Sequence, residues 1–390
     1  MPEPNLTGVL MNLISLRTII GSIAISIAFV MELTLVPLLL PEIQSQFDLS
    51  ISQLAWVFNS YGIAVSLGVL LGGWLGDAFD TKNVFGVGVL FFAVGSIVVA
   101  FAGNFEIIIA GRFLQGFGGG IFSPLVPLLL TRATPHRPGK VLIVWGSVAG
   151  YVAAAAPFVY SSFLAGYGWN LAFVIFAVIS IVAIAFVQKT PPNGEAAILK
   201  ARPQFHKLLG SRDLCLMFGY VFCTYGAITY YLFRLPLWLS ENQVQMASIG
   251  FTLSILWLSF SILSTFLRNH IDGPHVKKML LAAPVFIACA FILSYFHHEL
   301  YYLAFSSILV GVGLACSNAP STLLILKFAP KGMSAGSASL DITFARLGGV
   351  ATVTLLAHVT FAYTILAIVL LSVLAYFFAV VMAKRLSASD

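Results

Sequence analysis

Charge is scarce in this chain. Lys, Arg, Asp and Glu make up 9% of its 390 residues, where soluble domains carry about 25%. A soluble globular protein is excluded. Apolar residues fill the gap, at 59% of the total and a mean hydropathy of +0.99. Cysteine is sparse too. The four, Cys215, Cys223, Cys289 and Cys316, all fall in apolar runs, and no pair has CxxC spacing. That spacing rules against a disulfide framework or a zinc knuckle and suits small buried side chains. No metal cluster is evident: His297, His298 and Glu299 are adjacent, cannot share one helix face, and belong to an outer loop. No cofactor is expected. The net charge of +6 would suggest nucleic acid in a soluble chain; here it fits cytoplasmic loops, and no nucleic-acid partner is expected. The opening "MPEPNLTGVLMNLISL" carries an acid and no early basic cluster. It makes a poor signal peptide, so the first apolar run is expected to remain as a spanning helix.

Apolar runs of about 20 residues suit spanning helices, whose backbone groups are satisfied within the segment. Twelve such runs are expected, near 17–40, 51–73, 83–102, 107–130, 140–165, 169–188, 212–235, 246–268, 277–296, 301–326, 334–357 and 360–383. With the N-terminus inside, 17 of the 20 basic residues fall in inside segments and none in outside loops. The other three, Arg112, Arg234 and Arg346, lie within helices. Such a split is a strong positive-inside signal, and it predicts a multi-pass protein of the inner (plasma) membrane with both termini cytoplasmic.

The longest polar interval, 188–213, follows six spans. It predicts an N-terminal six-helix bundle over 1–190, a cytoplasmic linker over 191–210 and a second bundle over 211–390. The halves echo each other: "GGWLGDAFDTKNV" follows helix 2 and "STFLRNHIDGPHVKKM" follows helix 8. Two pseudo-symmetric bundles around a midplane cavity form a transporter architecture.

Several short patterns are more specific. The loop after helix 2 carries Gly73, Leu75, Asp77 and Lys82. Helix 4 carries Arg112, Gln115, Gly116 and Gly118 in "GRFLQGFGGG". Helix 1 holds Glu32, Thr34, Pro37 and Pro41 in "FVMELTLVPLLLPE", and helix 2 holds Trp56, Val57 and Tyr61. Helix 5 has Pro157 within "GYVAAAAPFVYS", followed by Trp169 and Phe173, and helix 11 has "RLGG" from Arg346. Together these resemble the major facilitator superfamily, and within it the drug:proton antiporters of multidrug and siderophore efflux. The sequence departs from those patterns at Ala78, Asp80 and Thr81 in the loop, at Pro37 in helix 1, at Ala156, Tyr160 and Ser161 in helix 5, and at Asn170.

The resemblance implies an all-α membrane protein of the major facilitator fold. It implies a secondary transporter, not an enzyme, that exports a small organic compound by proton-coupled alternating access. Such a chain would work as a monomer whose partners are the cargo, protons and the lipid bilayer. Glu32 stands where relatives keep a proton-coupling acid, and Asp341 is the other intramembrane acid. An arginine inside a span costs at least about 2.5 kcal/mol and marks a functional interior position. The expected substrate contacts are Arg112, Gln115, Tyr61, Tyr151, Tyr225, Arg234, Asn318 and Arg346. Gly73, Asp77, Lys82 and Pro157 are expected to act in gating. At 1.5 Å per residue, Glu32 lies about 13 Å below the outer end and Arg112 about 8 Å, close enough to meet if helices 1 and 4 are neighbours. Three intramembrane arginines against two acids favour an anionic or carboxylate-bearing cargo. Import of an organic anion on the same fold is the alternative. A membrane-embedded enzyme would need a convergent nucleophile or metal cluster, and none is visible.

Overall fold

The computed structural model describes residues 6–135, 138–187, 205–267, 270, 275–296, 299–331, 333–359 and 361–389. Twelve helices among them are long and apolar enough to span a membrane. They are α1 (Ser15–Phe47), α2 (Ile51–Gly76), α3 (Thr81–Ala100), α4 (Phe105–Ala133), α5 (Gly139–Tyr167), α6 (Asn170–Val187), α7 (Arg212–Glu241), α8 (Met246–Leu267), α9 (His275–Phe296), α10 (Leu300–Phe328), α11 (Ser334–Leu356) and α12 (Thr364–Leu386). The linker residues 191–204, and His297 and His298, lie outside the described residues.

Local chemistry sets the turns at the expected outer end. Ser50 caps α2, with Gln53 completing a reciprocal capping box. Asn104 caps α4 by accepting from the Ile107 amide at 2.9 Å. Gly168 takes a φ of 83° before α6, a left-handed conformation that favours glycine. The Tyr160 hydroxyl donates to the Gly168 carbonyl at 2.8 Å and fixes that turn.

Three elements differ clearly from the sequence expectation, among them α7, which runs on from 235 to Glu241. α1 runs on past Pro41 to Phe47 as one helix containing both prolines. Glu42 and Gln46 in this extra turn bind Trp169, through its backbone amide at 3.2 Å and its indole nitrogen at 2.6 Å. The expected uniform helix 4 is instead interrupted by a tighter turn at Ser123–Leu125, where Pro124 removes an amide donor.

Lipid-facing stripes are apolar. On α12, Leu366, Leu370, Val373 and Phe377 recur at helical spacing and are all exposed. By contrast, Leu35, Val36, Leu38, Leu39 and Leu40 of α1 are consecutive or nearly so, and each is at most 1% exposed. That part of α1 is enclosed on every side.

The halves meet along two seams. α2 lies along α11: Asn59 Nδ2 donates to Thr354 Oγ1 at 2.9 Å, and Ser52 bonds His358. α5 lies along α8: Ser261 Oγ donates to the Gly150 carbonyl at 2.9 Å. Pro157 and the wide turn at Tyr160–Leu164 disturb the helix ladder. Ser254 Oγ accepts from the Phe158 amide at 2.9 Å across the seam, replacing a lost partner as spans require.

Within the N-terminal half, α4 is pressed between α2 and α3. A Cβ on Gly116 would collide with the Tyr61 carbonyl oxygen of α2. Replacing Gly116 with Ala is expected to destabilise the protein by about 1–3 kcal/mol through overpacking. A lowered thermal midpoint of the purified variant checks this.

Candidate functional site

The close approach of α2, α3 and α4 brings four polar side chains together inside the bundle. Arg112 Nη1 donates to Glu32 Oε1 at 2.6 Å and to Gln115 Oε1 at 2.6 Å. Arg112 Nε donates to the Val57 carbonyl at 3.2 Å. Gln115 Nε2 then donates to Ser96 Oγ at 2.9 Å, and Ser96 donates to the Phe92 carbonyl. The guanidinium carbon stands 4.4 Å from the centre of the Tyr61 ring, a cation–π geometry. Glu32 and Arg112 are each 1% exposed. This ion pair is buried and hydrogen-bonded, the condition under which charges persist away from water.

Glu32 Oε2 and the Tyr61 hydroxyl, both buried, have no hydrogen-bond partner of normal geometry. They are neighbours, and both face a cavity of about 50 Å³ between the halves. Leu33, Pro37, Asn59 and Arg112 line its N-terminal side; Thr229, Leu232, Arg346 and Val350 line its C-terminal side. A water needs about 10–15 Å³ of such space, and drug-sized sites run to about 300–1,000 Å³. At about 50 Å³ the cavity has room for a few waters and is too small for a drug-sized molecule.

Of the residues singled out in the sequence, Glu32, Arg112, Tyr61 and Arg346 meet at this cavity. Gln115 is fully engaged with Arg112 and Ser96 and does not line it. Asp341 lies elsewhere in the C-terminal half, accepting from Thr322 Oγ1 at 2.7 Å. The Tyr225 hydroxyl donates to Asn318 Oδ1 at 2.9 Å. Arg234 forms a two-point pair with Glu241 at 2.8 and 3.0 Å, partly exposed at the end of α7. Tyr151 is 60% exposed and does not line the cavity. Gly73 faces Ser339 of α11, and Pro157 lies in the α5–α8 seam. Lys82 borders a groove between α3 and α6. The Asp77 side chain lies outside the described residues. Thr81, at the position where the antiporter pattern has a second arginine, accepts at Oγ1 from Arg132 Nη1 at the end of α4, at 3.0 Å.

Sequence reasoning missed Ser96, Asn59 and Thr229. Each is a lone small polar residue within an apolar helix, which was the available signal.

Residues 21–353 match the family model described as Major Facilitator Superfamily. The chain belongs to the Major Facilitator Superfamily. Its helical architecture is the one found in solved transporters. The D-xylose-proton symporter aligns at a TM-score of 0.73 and 14% identity, over 95% of this chain and 96% of that one; at that identity the likeness shows the fold alone. The tetracenomycin C resistance and export protein of Streptomyces glaucescens is 28% identical over 204 residues, 51% of this chain and 38% of its own length. The multidrug resistance protein B homolog of Mycobacterium tuberculosis is 28% identical over 186 residues, 46% of this chain and 34% of its own length. The matched stretches thus span less than half the length of these curated relatives.

Removing one partner of a buried ion pair strands the other, at about 3–5 kcal/mol, while neutralising both costs far less. Arg112→Gln alone is therefore expected to lower the thermal midpoint more than the Glu32→Gln/Arg112→Gln double variant. Thermal unfolding of the three purified proteins checks this ordering.

Proposed function

We propose that this transporter exports a small organic compound in exchange for protons, with Glu32 as the proton carrier and Arg112 as its counter-ion. The observation that carries the reading is the buried Glu32–Arg112 pair at a cavity shared by both halves. An ionisable pair inside a membrane bundle is costly unless used. Protonating Glu32 leaves the Arg112 guanidinium uncompensated, which gives the two protonation states different energies in the same packing. Rocking of residues 1–190 against 211–390, along the α2–α11 and α5–α8 seams, would open the cavity to either side. The enclosed half of α1 fits a state closed to the outside, with both termini cytoplasmic. The printed names of the two relatives, one an export protein and one a multidrug resistance protein, support export.

The anionic cargo suggested by the arginine excess needs restating. Glu32 compensates Arg112, and Glu241 compensates Arg234. Arg346 has no ion-pair or hydrogen-bond partner among the described residues, and it lines the cavity. That single uncompensated cation favours a second reading, proton-coupled import of an organic anion. Asp341 is a further candidate for proton coupling, held by one hydroxyl and no base among the described residues.

Glu32→Gln keeps an oxygen that can accept from Arg112 but removes the charge, so it is expected to lower the thermal midpoint and to abolish proton-driven transport in protein assayed below that midpoint. The measurement is proton flux in proteoliposomes as candidate cargo compounds are added. Persistent coupled flux in the Gln variant would show that Glu32 is not the carrier.

A further inference from the structure

The central cavity holds one carboxylate and two guanidinium groups, contributed by both halves. Arg112 comes from α4, Glu32 from α1 and Arg346 from α11. The other ionisable group on its wall is Tyr61 of α2. α7 contributes Thr229 and Leu232 there, and α6 and α8 contain no ionisable residue at all. The charge count at the cavity is thus short enough to reason with.

With Glu32 ionised, Arg346 is the cation on the cavity wall with no ion-pair partner among the described residues; Asp341, five residues before it on α11, and Tyr225 of α7 are the further ionisable groups in its electrostatic surroundings. With Glu32 protonated, Arg112 is released from its pair and two cations face the same small space. Each added proton therefore makes the cavity more attractive to an anion and less attractive to a cation. Two ligands whose binding sites share an electrostatic field are linked, and the linkage is reciprocal. A proton on Glu32 tightens an anion, and a bound anion tightens the proton. Glu32 and Tyr61 both line the cavity, and Glu32 Oε2 and the Tyr61 hydroxyl are buried with no hydrogen-bond partner of normal geometry.

We propose that Arg346 is the anion-binding group of this cavity, and that any anion it holds binds together with the proton on Glu32 instead of competing with it, so that anionic cargo would select the second reading above over proton exchange. The inference rests on Glu32 being the proton site. It has a directional consequence. An anion held by Arg346 travels with the proton, in the same direction. A cation, whose binding the proton weakens, is the cargo this field allows to be exchanged against the proton. Export by proton exchange and anionic cargo are therefore not both properties of this cavity, and the sign of the linkage decides between the two readings above.

The test uses the purified full chain and two permanently charged probes, naphthalenesulfonate and trimethylnaphthylammonium, so that only the protein titrates. Naphthalenesulfonate affinity is expected to rise as pH falls. In Glu32→Gln it is expected to be about fivefold or more tighter than wild type at neutral pH, within the usual range of site–site coupling, and to lose its pH dependence. Arg346→Gln should abolish binding of the sulfonate, and Arg346→Lys should restore part of it, which separates loss of charge from loss of fold. The quaternary ammonium should show the opposite pH trend. The proposal is overturned if the wild type binds no sulfonate, if Glu32→Gln leaves its affinity unchanged or weaker, or if Arg346→Gln binds it normally. Proton uptake by the Glu32→Gln proteoliposomes reports on the carrier separately. If uptake is lost but the sulfonate linkage is absent, Glu32 remains the carrier and only the linkage fails.

Discussion

The structure of the N-terminal half turns on one buried ion pair, Glu32 with Arg112. A guanidinium presents five donors and no acceptor, and inside a bundle each donor needs an oxygen. Glu32, Gln115 and the Val57 carbonyl supply three of these oxygens, from α1, α4 and α2. These short bonds require neighbouring backbones to approach closely, and glycines on α4 make that possible: Gly116 lies against Tyr61, and Gly118 lies against Gly88 and Phe92 of α3. Ser96 closes the chain by tying Gln115 to α3. The glycine-rich stretch and the arginine are two parts of one solution, since the charge demands contact and the missing side chains permit it.

The C-terminal half is arranged differently. Its polar groups form separate small sets: Asp341 with Thr322, Tyr225 with Asn318, and Tyr231 with Ser306 and Ser307. No buried ion pair comparable to Glu32–Arg112 occurs there among the described residues. Arg346 stands apart from these sets and faces the other half. The pseudo-symmetry of the helices is therefore broken in charge, with compensated charge in one half and an uncompensated cation in the other.

Much of this was legible in the sequence. Basic residues confined to one side fixed the number of spans, because a missed helix would have exchanged inside and outside for every later loop. Depth arithmetic placed Glu32 and Arg112 within reach, since both lie on regular helices with a constant rise. Three things were not legible. Arg234 and Glu241 are seven residues apart, two helical turns, so they share a face; the expectation that the helix ended at 235 concealed the partner. Tyr151 was a reasonable cavity residue by type, but helix rotation, which type does not encode, leaves it exposed. The loss of the helix 1 asparagine to Pro37 left open what else stands beside Glu32. That neighbour is Tyr61, contributed by α2, and no periodicity within α1 could have named it.

The small size of the closed cavity has a bioenergetic meaning. A membrane that stores energy as a proton gradient tolerates an ionisable residue in its interior only where water cannot form a continuous file past it. About 50 Å³ admits a few molecules, and the enclosed leucines of α1 stand between them and the expected outer surface. On the proposed proton coupling, such a cavity would insulate: an idle copy would leak little of the gradient that a working copy draws on, so many copies could sit in one membrane without draining it.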